Sequence, residues 1–62
     1  MEKIIYTKDR SGTYKRYKVY TSQDKYLISY DSSVIAKVGT FEDALTLIRS
    51  ISGGEINEIR DN

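Results

Sequence analysis

This chain has no cysteine, no histidine, no proline and no tryptophan, and each absence closes off a class of structure or chemistry. Without cysteine there is no disulfide staple, and without a Cys/His set there is no usual cage for a structural zinc. The same two absences remove the thiolate nucleophile and the commonest general base. The serines and threonines that remain do not sit in a Gly-x-Ser-x-Gly turn. Glu42 and Asp43 are adjacent and project about 100° apart on a helix, so they cannot flank a substrate as an acid–base pair. Gly53-Gly54 follows a helix, the reverse of the strand–glycine–helix order that cradles phosphate. The acids do not have the spacing of a calcium loop. The sequence therefore reads as a non-enzymatic protein that uses no cofactor and no metal.

Size adds a second constraint. Sixty-two residues make one small domain, residues 1–62, and chains of this size bury only about 60% of the surface they expose unfolded. With no covalent or metal staple, the remaining way to add buried surface is association, so a homodimer or a bound partner is expected. The lack of cysteine fits a reducing compartment, and Met1 to Ile5 lacks the long apolar core of a secretion signal. These features read as cytoplasmic. No stretch is long and apolar enough to span a bilayer, so no membrane partner is expected.

The net charge of +1 hides an uneven distribution. Residues 1–40 carry eight Lys or Arg and four acids, a balance of +4, whereas residues 41–62 carry two Arg and five acids, a balance of −3. All six tyrosines lie between Tyr6 and Tyr30.

What is present begins with the clearest segment, Val38 to Ser52. Thr40 and Asp43 form a Thr-x-x-Asp capping pattern, in which the Thr40 hydroxyl accepts the Asp43 amide and the carboxylate reaches back. Glu42 and Asp43 place negative charge in the first turn, where the helix dipole favours it. Phe41, Ala44, Leu45, Ile48 and Ile51 recur at helical spacing as one apolar stripe, widened by Leu47. Gly53 and Gly54 supply a stop, because glycine enters the left-handed conformation of a C-cap without a Cβ penalty. An amphipathic helix over about Phe41–Ser52 is predicted, and a helix this short needs a surface to cover.

The segments before it supply that surface. Lys3–Lys8, Thr13–Thr21, Lys25–Tyr30 and Val34–Val38 have the β-branched and aromatic content of strands. Asp9–Gly12, Ser22–Asp24 and Asp31–Ser33 have the residues of turns. Short turns favour an antiparallel meander. The fold class is α+β: a four-stranded, mostly antiparallel meander sheet with one helix on one face. Ile56 and Ile59 are three residues apart, which suits neither an alternating strand nor a helix, so residues 55–62 read as an irregular tail or a short extra strand. Giving the helix Tyr17, Val19, Tyr26, Ile28, Tyr30, Val34, Ala36 and Val38 buries the most carbon and the fewest charges.

That choice leaves Tyr14, Arg16, Lys18, Tyr20, Lys25, Leu27, Ile35 and Lys37 on the opposite face. Leu27 and Ile35 would form an apolar patch there, to be covered by the tail through Ile56 and Ile59, a second copy or a partner. Tyrosine and arginine dominate protein–protein hot spots, while cations interleaved with aromatic rings also serve nucleic-acid-binding sheets. The first expectation is a small stand-alone interaction protein that binds a protein partner through this face, an accessory or inhibitor of the kind phages and mobile elements encode. The alternative is a nucleic-acid-binding module using the same face.

One stretch carries a resemblance. From Lys25 to about Ile51, a strand pair runs into Lys37-Val38-Gly39-Thr40-Phe41 and an apolar helix. This is similar to the three-stranded DNA-binding modules at the N-termini of integrases. In those modules the sheet face away from the helix enters the major groove, which would imply contacts from Arg16, Lys18 and the Lys25 strand. The tryptophan and the dense arginines of those modules are absent from this chain.

Overall fold

The computed structural model describes residues Met1–Asn62. Five strands and one helix follow in the order β1 (Glu2–Lys8), β2 (Tyr14–Ser22), β3 (Lys25–Tyr30), β4 (Ser33–Val38), α1 (Phe41–Ser52) and β5 (Glu55–Asp61). The strands form one antiparallel sheet in the order β4-β3-β2-β1-β5. The class is α+β as the sequence predicts, but the sheet has five strands and not four. Of the two readings of residues 55–62, the extra strand is the one found: Glu55–Asp61 form β5, hydrogen-bonded to β1 from Lys3↔Asp61 to Lys8↔Glu55.

Three tight turns build the meander. Between β1 and β2 the Asp9 carboxylate accepts from the Ser11 amide at 2.9 Å, the Ser11 hydroxyl at 2.6 Å and the Thr13 amide at 3.0 Å. Gly12, at φ 86°, supplies the left-handed step. These bonds favour the ionised form and hold the Asp9 carboxyl below its ordinary value of 3.8, the Ser11 hydroxyl contributing most. The next two turns are two-residue loops, Gln23-Asp24 and Asp31-Ser32, with positive φ at both residues of each. That is the signature of a type I′ turn, whose twist matches the strands it joins. Both achieve it without glycine, so each holds two L-residues in a sparsely populated conformation.

α1 begins and ends where the sequence predicts. The Thr40 hydroxyl accepts the Asp43 amide at 3.0 Å, and Gly53, at φ 69°, closes the helix by donating to the Arg49 carbonyl at 3.1 Å. Ser52 ties the exit together: its hydroxyl donates to the Arg49 carbonyl at 3.4 Å and accepts the Gly54 amide at 3.1 Å. The twelve-residue helix is about 18 Å long. Four inter-strand steps of about 4.8 Å are close to 19 Å. The helix can therefore carry the chain from the β4 edge across the sheet and deliver it to the opposite edge, beside β1.

Ala44 and Ile48 of α1 are fully buried against Ile5, Tyr17, Val19 and Ile28. Each large aliphatic side chain removed from water in this way contributes about 1.5–3 kcal/mol. Tyr26, Ala36, Val38, Phe41, Leu45, Leu47 and Ile56 pack around this centre. Two sequence expectations for the core are corrected. Val34 is not under the helix: a register shift pairs Ile28 with Ala36 and Ser29 with Val34. Ile35 is then the extra residue of a β-bulge, and Val34 shares a side with Ser29, 55% exposed. Ile51 is also half exposed, and Ser52 takes the buried position in the last turn.

A second bulge explains β5. Tyr6 faces Glu58 and Thr7 faces Ile56, so Asn57 is an additional residue in the ladder. A bulge turns the usual spacing of two into three, which keeps both Ile56 and Ile59 on the helix side. They therefore do not cover the opposite face. Burial under α1 pushes the Tyr17 phenol up, with a smaller contribution from Tyr30, whose ring lies 4.8 Å from it. Tyr30 sits at a corner of the sheet that the helix leaves open. Lys3 and Asp61 form an ion pair on the β1–β5 side.

The return to β5 passes very close to β1. A Cβ on Gly54 would lie 2.7 Å from the Lys8 carbonyl oxygen and 2.9 Å from its carbon. Gly53 has open space around it and is constrained only by its φ. Gly53→Ala is therefore expected to cost about 1 kcal/mol, and Gly54→Ala more than about 2 kcal/mol, because backbone must move. Urea denaturation of the two variants checks the ranking. The Asp9 turn has a pH signature as well. A carboxyl held below its ordinary value stabilises the fold above that value and loses the contribution as pH falls through its folded value. The stability gap between wild type and Asp9→Asn should thus be widest near neutrality and close below the ordinary value of 3.8, measured by denaturation at a series of pH values.

Candidate interaction surface

The uncovered face of the sheet is read directly from the strand pairings, because partners across a ladder share a side. One row runs Arg60, Ile4, Lys18, Ser29 and Val34 across all five strands. The next runs Glu2, Tyr20, Leu27 and Lys37. Glu58, Tyr6 and Arg16 form a third, and Glu55, Lys8 and Tyr14 a fourth. Lys25 faces Ser22 at the far end. Tyr14, Arg16, Lys18, Tyr20, Lys25, Leu27 and Lys37 therefore share one face, as the alternation predicts, and Ile35 joins its rim from the bulge, 46% exposed.

The structure adds residues that the alternation of β2 to β4 does not reveal. Ile4 lies on this face yet is only 5% exposed. Its cross-strand neighbours are Lys18 and Arg60, whose long aliphatic stems can cover apolar surface while their charges stay in water. The signal was in Ile4-Ile5, two adjacent apolar residues on a strand that must point to opposite faces. Glu58 and Arg60 lie on β5, which the sequence leaves open between a tail and a short extra strand, and Tyr6 lies on β1, whose faces the alternation of β2 to β4 does not assign.

Electrostatics divide the face into two halves. Toward β5 the cations are engaged. Arg60 donates to Glu58 at 2.6 Å and lies 5.2 Å from the Tyr6 ring centre. Glu58 raises its already high pKa further. Lys8 lies 5.5 Å from the Tyr14 ring centre, and Lys18 approaches Glu2 at 4.0 Å. Of the β5 acids, Glu58 engages Arg60 of its own strand, Glu55 lies 3.8 Å from Arg49 of α1, and Asp61 pairs with Lys3. Three cations enter no ion pair: Lys25 and Lys37 on β3 and β4, and Arg16 on β2. Lys37 faces Leu27 across the ladder, Lys25 stands two residues along β3, and Arg16 lies two rows from Tyr20, beyond Lys18; Val34 and Ile35 are at the margin. This is an apolar centre within a cationic rim, the anatomy of a protein–protein contact.

Two shallow depressions flank the face at the ends of β2. One is lined by Tyr14, Lys15, Arg16, Tyr30 and Asp31, the other by Thr21, Ser22, Gln23, Asp24 and Tyr26. No helix is long and apolar enough to cross a membrane. Compared with family models, curated proteins and solved structures, the chain matches none.

The burial of Ile4 and the exposure of Ile35 make a sharp contrast on one face. Ile4→Ala is expected to destabilise the fold by about 2 kcal/mol or more, and Ile35→Ala by less than about 0.5 kcal/mol. Thermal or chemical denaturation of the pair checks that the covered and open halves are correctly placed.

Proposed function

We propose that this protein is a stand-alone interaction module that acts without catalysis, by occupying the surface of a protein partner with the β3–β4 half of its uncovered sheet face. The observation that carries the reading is the apolar centre of Tyr20 and Leu27 within the uncommitted cations Arg16, Lys25 and Lys37. The partner surface that fits is apolar at its middle and acidic around it. An accessory or inhibitory role is what such a module performs, acting in the cytoplasm and as a homodimer.

A second reading uses the same face for nucleic acid. It is favoured by the ratio of charges there, six cations (Lys8, Arg16, Lys18, Lys25, Lys37, Arg60) against three acids (Glu2, Glu55, Glu58), and by the rings of Tyr6, Tyr14 and Tyr20. The cation–π and ionic contacts within the chain count against it, because they occupy three of those cations before a phosphate arrives.

The readings separate by salt and by substitution. If the three free cations neutralise three phosphates, log affinity falls with log salt at a slope of about −2.7, roughly 40-fold between 50 and 200 mM. The protein-partner reading expects no such binding to a mixed-sequence duplex or single strand. It expects instead that Tyr20→Ala weakens the captured protein complex about 30-fold. The Arg16→Glu/Lys25→Glu/Lys37→Glu variant should abolish capture with its melting transition retained. Capture unchanged by these substitutions contradicts the assignment of the face.

A further inference from the structure

The two edges of the sheet are built differently. β5 carries Glu55, Glu58, Arg60 and Asp61 along seven residues, and charge of that density discourages another strand from pairing. β4 carries a single charge, Lys37, and presents Val34 and Ile35 half exposed. Its only neighbour is β3, so one side of its backbone has no strand partner in the chain. One lysine and the bulge at Ile35 are its only protections, against four charges on β5, so β4 is the edge more open to another strand.

Charge selects the occupant. Asp31 stands in the turn before β4 and Lys37 near its end, and neither enters an ion pair within its own chain. A second copy laid antiparallel brings Asp31 of each copy toward Lys37 of the other, so the attraction is made twice. A parallel copy would set like against like. β5 offers no such match, since it has acids at both ends, Glu55 and Asp61, and an antiparallel copy would oppose them.

We infer that β4 is a self-association edge: two copies of this chain pair antiparallel through β4 and form one continuous sheet of about ten strands, five from each copy. This gives the homodimer proposed above its contact; Lys37 is engaged across the seam, which leaves Arg16 and Lys25 as the free cations of each uncovered face. The two-fold axis of such a pair is perpendicular to the sheet. Both helices then lie on one side and both uncovered faces on the other, contiguous across the seam. Each dimer presents two copies of the Tyr20–Leu27 centre on one surface. The bulge at Ile35 shortens the straight run of β4, which weakens the pairing. The charged β5 strands at the outer edges stop further addition, so the assembly closes at two.

Sedimentation equilibrium over a range of concentrations tests this with four proteins: wild type, Val34→Lys, Lys37→Glu and Ile59→Lys. Val34 and Ile59 are both half exposed, so the lysine variants keep the fold, which a cooperative melt verifies. The expected result is a wild-type dimer whose dissociation constant rises about tenfold or more in Val34→Lys and Lys37→Glu, while Ile59→Lys on β5 behaves as wild type. A wild type that stays monomeric at every concentration overturns both the dimer and its edge. A dimer that survives Val34→Lys, whether or not Ile59→Lys breaks it, leaves the dimer standing and overturns the assignment to β4.

Discussion

The chain leaves its helix at Gly53 and passes the Lys8 carbonyl so closely that only glycine fits at position 54. The difference between the two edges of the sheet follows from that passage. It docks β5 on β1, turns β1 from an edge into an interior strand, and leaves β4, with one charge against four on β5, as the less protected edge. The helix makes the passage possible because its length matches the width of the sheet it crosses. Ala44 and Ile48 then fix its height over Ile5, Val19 and Ile28. A domain this small has little other means of closing, having neither a disulfide nor a metal to hold it.

The same arrangement gives the sheet two unlike faces. The helix takes nearly all of the fully buried carbon on one side. The other side is covered only where β5 reaches: Arg60 of β5 lies over Tyr6 and pairs with Glu58, while Lys8 meets Tyr14 and Lys18 meets Glu2 across β1 and β2. The β3–β4 half receives no such cover. Free cations and half-exposed apolar residues coincide there because no later part of the chain returns to that side. Surface that a small fold leaves apolar and cationic together is suited to an acidic partner with an apolar centre.

Much of this was legible in the sequence, and the exceptions have one cause. The helix bounds could be read because Thr40, the acidic first turn and Gly53 are local signals that tertiary packing did not override. The strands β1 to β4 could be read because their turns are tight and their alternation regular. The failures fall at bulges. At Asn57 an inserted residue turns an alternating pair into a spacing of three, so the sequence left β5 open between an irregular tail and a short extra strand. At Ile35 another insertion reversed the side of Val34 relative to simple alternation. Seven of the eight candidate interface residues lie on the straight parts of β2, β3 and β4, which is why they fall on one face as expected. Ile4 and Arg60 were invisible because their burial and engagement depend on β5 lying beside β1.

Amide hydrogen exchange, at a concentration low enough to keep the chain monomeric, tests the pairing of β5 with β1 most directly. If β1 is an interior strand, its amides from Lys3 to Thr7 are bonded on both sides and exchange among the slowest in the protein, with those of β2. The amides of β4 then include a fast-exchanging set on its open side. Rapid exchange at alternate positions of β1, together with an unprotected Glu55–Asp61, would mean that β5 does not dock. The division of the sheet into a protected and an open edge would then be wrong.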